Sequence, residues 1–162
     1  MKSFLIKDKT DTSKAYPIIK WGMLPDDIFF EGKIPEGHSL AVCPHQPYII
    51  VDIDRHEGSV NGFNNIPEHL KAEIEQTFWY ATKNNGKHCW FYYTGNKTLM
   101  NKASKYGIDL RIGATYDTKG NSINNGGYVK WHPRDSMDIR TKIFEINGTS
   151  KEMNIWLEKL FS

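Results

Sequence analysis

Two aspartates separated by a single residue, Asp52 and Asp54, are the strongest candidates for chemistry in this sequence. They follow the β-branched and aromatic run 48–51, which is typical of a buried strand. Because successive side chains of a strand point to opposite faces, the two carboxylates emerge on the same face. Adjacent carboxylates repel each other, and hard divalent cations such as Mg²⁺ bind one or two carboxylates together with substrate phosphates. The pair therefore predicts a metal site; the alternative is two solvated acids at a strand end.

A glycine-containing turn leads into a second strand-like segment, 87–93, and supplies the next candidates. Backbone amides at Gly86 can approach a phosphate closely because glycine has no Cβ, and His88 just beyond can donate a hydrogen bond to a phosphate oxygen. Lys87 adds a positive charge beside them. This segment predicts a nucleotide-binding element, whereas a histidine with a purely structural role is the alternative.

An acid and an arginine two residues apart, Asp109 and Arg111, share one face of a third predicted strand, 106–112. They can simply pair with each other. With other acids nearby, Asp109 can instead complete a metal site while the planar guanidinium of Arg111 binds a triphosphate oxygen. Both interpretations stay open at this point.

The charge of the chain is unevenly distributed although its net value is only +2. Residues 81–142 carry 11 basic and 4 acidic side chains, whereas 1–80 carry 8 and 12. Local positive charge is what the electrostatic part of nucleic-acid binding requires, and exposed aromatic rings can stack on bases. A solvated lysine-rich face, and core packing of the tryptophan, are the alternatives. The candidate nucleic-acid contacts are Lys97, Lys102, Lys105, Lys119, Lys130 and Trp131.

Composition indicates one ordinary globular domain over 1–162, with 39% hydrophobic, 13% aromatic and 25% charged residues. No apolar run is long enough for a membrane span and the start of the chain lacks the apolar core of a signal peptide, so we expect a cytoplasmic protein without membrane contacts. The two cysteines, Cys43 and Cys89, are expected to be buried thiols. A partial metal cluster of Cys43 with His38 and His45 is a weaker alternative.

The elements that must position these groups follow from periodicity and turn residues. Segment 39–43 is predicted to form a hairpin with 48–53, which makes the strand before the acids a central one. A helix is predicted from an N-cap at Asn65 through Ala81, and it ends at 84–86. The remaining predictions are a short helix over 98–106, a hairpin loop over 115–125, a strand over 126–131, and a closing helix over about 150–161 with a capping box of Thr149 and Glu152.

Taken together, Asp52-x-Asp54, Gly86-x-His88 and Asp109-x-Arg111, followed by the sequence at 126–129, resemble the bifunctional primase-polymerase domain of the archaeo-eukaryotic primase superfamily, of the type carried by phages and plasmids. The resemblance covers roughly 16–140. The chain departs from the family pattern after 128–129, where 130–134 replaces a Pro-Pro-Ser run.

The resemblance implies a compact α/β (α+β) domain with an RRM-like, mostly antiparallel catalytic sheet flanked by helices. The implied activity is template-directed nucleotidyl transfer, as a DNA primase and DNA polymerase in phage or mobile-element replication. Asp52, Asp54 and Asp109 would hold two divalent cations, Mg²⁺ or Mn²⁺, while His88 and Arg111 would contact the incoming dNTP or NTP. The implied partners are a single-stranded DNA template, its primer and a separate replicative helicase.

Two other functions use some of the same features. A non-catalytic replication module would bind single-stranded nucleic acid, but it gains nothing from acids clustered near phosphates. A metal-dependent nuclease could use the acids without needing a triphosphate pocket. Tight metal-dependent binding of a nucleoside triphosphate would separate a polymerase from the nuclease.

Overall fold

In the computed structural model, residues 1–8, 15–58, 60–124, 126–133 and 138–162 are described. They form a mixed α/β fold with mostly antiparallel sheets and few helices, as the sequence predicts. The strands are β1 (Lys2–Asp8), β2 (Ala15–Pro17), β3 (His38–Cys43), β4 (Tyr48–Ile53), β5 (Trp79–Ala81), β6 (Lys87–Tyr92), β7 (Ile108–Ile112), β8 (Thr115–Tyr116), β9 (Ser122–Asn124), β10 (Val129–Lys130) and β11 (Asn147–Gly148). The helices are α1 (Lys71–Gln76) and α2 (Lys151–Phe161), with 3₁₀ turns at Trp21–Met23, Gly62–Asn65, Glu68–Leu70, Ile139–Thr141 and Ile143–Glu145.

Two sheets carry most of the structure. The first has the antiparallel order β10-β3-β1-β2. The second has the order β11-β6-β4-β7, with β5 also paired to β6, and its β11–β6 pair is parallel. Strand β4 lies between β6 and β7, so the prediction that the acids end a central strand is confirmed.

Each face of the second sheet is covered by a different layer. On one face Val51, Ile53 and their neighbours pack against α1 and α2 through residues such as Leu157. On the other face Ile50 and Trp90 pack against the first sheet. The predicted alternation along β4 is therefore confirmed, and both faces of this sheet are apolar along most of their length because both are buried.

The predicted hairpin between 39–43 and 48–53 is wrong. Strand β3 hydrogen-bonds with β1 and β10 in the first sheet, whereas β4 belongs to the second. Val42 of β3 and Ile50 of β4 meet in the core between the two sheets. The loop at 44–47 thus carries the chain from the first sheet to the second. When β3 and β4 lie in sheets that stack face to face, apolar side chains of both strands are buried against each other in the core between the sheets.

The long helix predicted from Asn65 to Ala81 is shorter than expected. A 3₁₀ turn precedes α1, which ends at Gln76, and Leu70 and Ile74 face the core as predicted. Thr77 then adopts an extended conformation, and the hydroxyl group of its side chain donates to the carbonyl of Trp90. The chain continues as β5 because three consecutive aromatic residues favour pairing with β6.

Two further helix predictions have opposite outcomes. The closing helix is confirmed as α2, although its N-cap is Ser150, which accepts a hydrogen bond from the amide of Met153, and not Thr149. The predicted helix over 98–106 does not form. Its backbone runs beside the edge strand β7, with a bridge between Lys102 and Leu110.

The segment predicted as a hairpin loop, 115–125, instead contains its own strand pair β8–β9, and the strand after it pairs with β3 and not with β7; Asn125 lies outside the described residues. The strand predicted over 126–131 is reduced to β10. Both cysteines are free and buried, as expected. Within the described part of the chain, neither helix has the length and apolar character needed to cross a membrane.

Candidate functional site

A row of cross-strand neighbours at the end of the second sheet forms the centre of the candidate site. Asp52 of β4 lies opposite Asp109 of β7 on one side and opposite His88 of β6 on the other. Tyr80 of β5 lies opposite His88 and completes the row. Since directly opposed residues of antiparallel strands point to the same face, sheet pairing brings all four side chains together.

The two middle members of this row, Asp52 and His88, line a cleft of about 520 Å³ between the two sheets. The second sheet contributes Asp52, Asp54, His88 and Arg111 to one wall, and β10 with the residues after it contributes Lys130 and His132 to the other. The cleft thus combines carboxylates at its floor with basic groups on both sides.

Asp52 is largely enclosed, with 13% of its side chain exposed. One carboxylate oxygen, Oδ1, lies 3.3 Å from Nε2 of His88. The other, Oδ2, lies 4.0 Å from Nε of Arg111. Asp52 therefore connects the histidine of one neighbouring strand with the arginine of the other.

Asp54 follows the end of β4 and is held by its backbone. Its amide donates to the carbonyl of Gly107, and its carbonyl accepts from the amide of Gly62, both at 2.9 Å. Burial together with the negative charges of Asp52 and Asp109 raises the pKa of the Asp54 carboxyl. The repulsion expected among the three acids is therefore present in the folded protein.

Asp109 pairs with Arg111, which is the simpler of the two arrangements that the sequence allows. Arg111 Nη2 donates to Asp109 Oδ2 at 2.9 Å, and the backbone amide of Ser104 donates to Oδ1 at 3.0 Å. Burial raises the pKa of Asp109, the Ser104 amide and Arg111 oppose that rise, and the charge of Asp52 adds to it. Asp109 thus lies beside the cleft acids with both oxygens already engaged.

The donor set suits a hard divalent cation, although it is not assembled as a metal cage. In the described ranges, no three His, Cys, Asp or Glu side chains are grouped closely enough to hold an ion. Asp52 and Asp54 nevertheless both line the cleft, and the pKa of Asp54 is raised by burial and by the charges of Asp52 and Asp109, a repulsion that a cation would relieve. The carboxylates therefore fit Mg²⁺ or Mn²⁺ chemically.

The alternative cluster of His38, Cys43 and His45 does not form. His38 Nδ1 contacts the carbonyl of Glu36 at 2.9 Å, and His45 Nδ1 contacts Asp26 at 2.8 Å. Cys43 is buried in the core of the first sheet, where desolvation raises its pKa to about 11. The three side chains have separate partners, so they share no site.

Gly86 and Lys87 do not line the cleft. A Cβ at Gly86 would lie only 2.4 Å from the carbonyl oxygen of Ile53, so this glycine allows the β5–β6 turn to pack against β4. The ammonium group of Lys87 contacts Glu75 and lies 3.7 Å from the ring centre of Trp79. Lys87 points to the face opposite His88, as strand alternation requires.

Most of the candidate nucleic-acid contacts lie away from the cleft. Lys97 pairs with Glu158 of α2 at 3.3 Å, and the Nζ atom of Lys105 lies 5.3 Å from the ring centre of Tyr106. Lys102 and Lys119 are exposed outside the cleft lining. Trp131 is only 8% exposed and packs with Trp90 in the core between the sheets, so its ring is not available to stack on bases.

The second wall of the cleft contains Lys130, which the sequence analysis predicts as a nucleic-acid contact, and His132, which it does not identify. Lys130 and His132 lie two positions apart and both face the cleft, with Lys130 Nζ 2.9 Å from Asp8 Oδ1. Burial lowers the pKa of His132 to about 4, and the neighbouring His88 and Lys130 contribute to the shift. Alternation around Trp131 is the signal that could have identified His132, since the core position of the tryptophan turns its two neighbours toward the cleft.

Comparison of the chain with models of known protein families and with curated proteins finds no match.

Proposed function

We propose that this protein is a template-directed nucleotidyltransferase, a DNA primase/polymerase of phage or mobile-element replication, with an RRM-like catalytic sheet of the archaeo-eukaryotic primase type. The observation that carries the proposal is the row of Asp109, Asp52 and His88 on three adjacent strands, of which Asp52 and His88 line a cleft that also contains Asp54, Arg111 and Lys130. The cleft volume of about 520 Å³ suits one nucleotide, since small-molecule sites span about 300–1,000 Å³.

The acids of the floor are assigned to metal binding. Asp52 and Asp54 provide oxygen ligands in the cleft, and Asp109 supports Asp52 from the next strand. Two bound divalent cations would activate the attacking 3′-hydroxyl group and neutralise charge on the triphosphate. The protein contributes the rigid placement of these carboxylates, which positions both reactants.

The basic groups of the walls are assigned to the triphosphate. His88 presents its Nε2 beside Asp52, and Arg111 is 27% exposed at the cleft. A guanidinium group has five N–H donors, so Arg111 can bind a phosphate oxygen while keeping a bond to Asp109. Lys130 faces the same space from the first sheet and offsets charge that develops on the leaving pyrophosphate, and His132 beside it can donate a hydrogen bond as a neutral imidazole.

A catalytic role explains the acids better than simple binding does. Nucleic acid is a polyanion, and a surface that only bound it would be weakened by carboxylates at its centre. Here Asp52 and Asp54 occupy the floor of the cleft, although burial and the charge of Asp52 raise the pKa of Asp54. Carboxylates in this position are favourable when a divalent cation binds them together with the phosphates of a substrate.

Primer extension tests the proposal. A labelled primer on a single-stranded DNA template is incubated with dNTPs and either Mg²⁺ or Mn²⁺, and the wild-type protein is compared with Asp54→Asn. Glu57→Gln is the matched control, because it removes one negative charge from an exposed residue that does not line the cleft. We expect template-directed extension by the wild type and the control, and loss of at least about 100-fold in Asp54→Asn.

The folding of Asp54→Asn is checked separately by thermal denaturation without metal. Because burial and neighbouring charge raise the pKa of Asp54, its ionised form is disfavoured in the folded state at neutral pH, and the asparagine variant should melt at or above the wild-type temperature. Absence of extension by folded wild-type protein with either metal would reject the polymerase activity. Shortening of the primer would indicate a nuclease instead.

A further inference from the structure

Three aromatic rings form a cluster beside the candidate site. Phe4 and Trp21 are stacked, with ring centroids 5.6 Å apart and ring planes 10° from parallel. Tyr128 meets both of them edge to face, with its centroid 5.3 Å from that of Phe4 and 5.2 Å from that of Trp21. Phe4 is 1% exposed, whereas Trp21 and Tyr128 are only partly buried and both line the cleft. The cleft therefore contains an aromatic pair, Trp21 and Tyr128, as well as its charged groups.

The turn that carries Trp21 is fixed to the first sheet. The Nζ atom of Lys2 in β1 donates to the carbonyl of Leu24 at 2.8 Å and lies 5.7 Å from the centre of the indole ring. The amide of Leu24 donates in turn to the carbonyl of Trp21 at 3.1 Å. Phe4 covers one face of the indole, so the surface that remains for the cleft is the opposite face and the edges. A flat ligand that binds there meets a ring already held in place, which lowers the entropic cost of binding.

The aromatic pair lies next to the groups assigned to the phosphates. Tyr128 and Lys130 stand on either side of the buried Val129, so their side chains share a face. Burial raises the pKa of the Tyr128 phenol and the positive charge of Arg111 opposes that rise, which shows that the guanidinium group lies within electrostatic reach of the ring. A nucleotide with its phosphates at Arg111 and Lys130 can therefore reach the aromatic pair with its base.

A nucleobase is the part of a nucleotide that suits this surface. Every base is flat and has a π-face, and stacking on an aromatic side chain is favourable for all of them. Sites for small molecules commonly combine aromatic lining with a few polar groups that fix the orientation of the ligand. In this cleft the polar groups are those assigned to the metal ions and phosphates, and the aromatic pair supplies the apolar part.

We propose that the aromatic pair binds the base of the incoming nucleotide, which stacks on the face of Trp21 opposite Phe4 and is bounded by the ring of Tyr128. This inference deepens the proposed function and rests on it for the identity of the ligand as a nucleoside triphosphate. Because stacking does not distinguish strongly between bases, the pair holds the base while the template selects it. Phe4, Trp21 and the bound base then form one continuous stack.

Calorimetry with two ligands separates the base from the phosphates. One ligand is a non-hydrolysable dNTP analogue with Mg²⁺, and the other is inorganic tripolyphosphate with Mg²⁺. Trp21→Leu should bind the analogue of each dNTP about five- to 100-fold more weakly than the wild type, as expected for one lost stacking contact. It should bind tripolyphosphate within about twofold of the wild type, which also shows that the cleft is intact. Trp21→Phe keeps an aromatic ring and should recover most of the affinity.

Trp156→Leu is the matched control. It makes the same substitution at a partly buried tryptophan of α2 that does not line the cleft. Both affinities should stay at the wild-type values, because the helix lies on the other face of the second sheet.

Tryptophan fluorescence supplies a second measurement. All five tryptophans lie in the described residues, and Trp21 alone among them lines the cleft. Stacking of a base on the indole should quench the emission of the wild type when the dNTP analogue is added, whereas tripolyphosphate should leave the emission unchanged. In Trp21→Phe the quenching should disappear although the analogue still binds.

Unchanged affinity of Trp21→Leu for the dNTP analogue, or an equal loss for the analogue and tripolyphosphate, would overturn the inference, because the rings would then only pack together or shape the cleft. Wild-type protein that binds no nucleotide would overturn it as well. Binding that depends on the base and on Trp21, in a protein without primer extension, would uphold the stacking role and reject the polymerase function. Primer extension with unchanged nucleotide affinity in Trp21→Leu would do the reverse.

Discussion

Substitution of Gly62 by alanine should displace Asp54 without touching any charged group. A Cβ at position 62 would lie 2.0 Å from the carbonyl oxygen of Gly107 and 3.0 Å from Cγ2 of Ile53. The first of these neighbours is backbone, which cannot rotate away. The segments at 62 and 107 would therefore have to separate by about 1 Å to reach even a close contact.

The same two segments hold Asp54 from either side. The hydrogen bonds from the Asp54 amide to Gly107 and from the Gly62 amide to Asp54 are both 2.9 Å long, and separation weakens them. Each is worth about 0.5–1.5 kcal/mol, and overpacking adds about 1–3 kcal/mol. We expect Gly62→Ala to lower the free energy of unfolding by about 2–4 kcal/mol, which corresponds to a melting temperature lower by about 4–16 °C in a chain of this size.

Urea denaturation followed by circular dichroism measures this change. Gly22→Ala is the matched control, since a Cβ at Gly22 has no neighbour within 4 Å and its backbone requires no positive φ. The control should stay within about 1 kcal/mol of the wild type, because alanine also restricts the unfolded chain. In primer extension, Gly62→Ala should lose activity even at temperatures where it is fully folded.

Equal stability of Gly62→Ala and Gly22→Ala would refute the reasoning, because it would mean that the contact between Gly62 and Gly107 is not as close as the structure has it. A destabilised variant with normal extension at low temperature would show that Asp54 does not depend on this contact for its position.

Three further predictions concern the core, the pH dependence and the side of the sheet that binds nucleotide. Leu157→Ala removes a fully buried side chain of α2 and should lower the free energy of unfolding in urea by about 2–5 kcal/mol, whereas Ile155→Ala on the exposed side should change it by less than about 1 kcal/mol. Burial and neighbouring positive charges hold the pKa of His132 at about 4, below the usual 6.5, so the unfolded chain binds the proton more readily. Wild-type stability should therefore fall by about 1–2 kcal/mol more than that of His132→Gln as the pH is lowered from 6.5 to 4, and parallel curves would contradict this assignment. Lys87→Gln should leave metal-dependent nucleotide affinity within about twofold, as measured by calorimetry, because its ammonium group lies on the face opposite the cleft, and a tenfold loss would contradict that placement.

Much of the site can be predicted from the sequence because strand alternation is a local property. The segments 48–53, 87–92 and 108–112 contain enough β-branched and aromatic residues to predict strands and to indicate which residues share a face. Backbone geometry alone places the side chains of Asp52 and Asp54 on the face opposite Val51. The closing helix is predictable for the same reason, since its cap and apolar stripe lie within a few turns of chain.

Helix length was harder to predict. Leu70, Ile74, Phe78 and Ala81 have helical spacing, yet the helix ends before Phe78. The preference of Phe78 and its aromatic neighbours for a strand acts only when β6 is there to pair with them, and β6 is encoded later in the chain. The helix predicted over 98–106 fails similarly, because that segment instead follows the edge of β7.

The sequence by itself therefore determined three strands of the second sheet, β4, β6 and β7, the faces of their side chains and the residue types of the candidate site. Tertiary structure alone decided that β3 joins the other sheet, that Arg111 pairs with Asp109, and that Lys130 and His132 form the second wall of the cleft. It also placed the hydroxyl oxygen of Tyr80 3.1 Å from Nδ1 of His88. The physical reason is that alternation depends on the geometry of neighbouring peptide units, whereas the choice of strand partner depends on which distant apolar surfaces can be buried together.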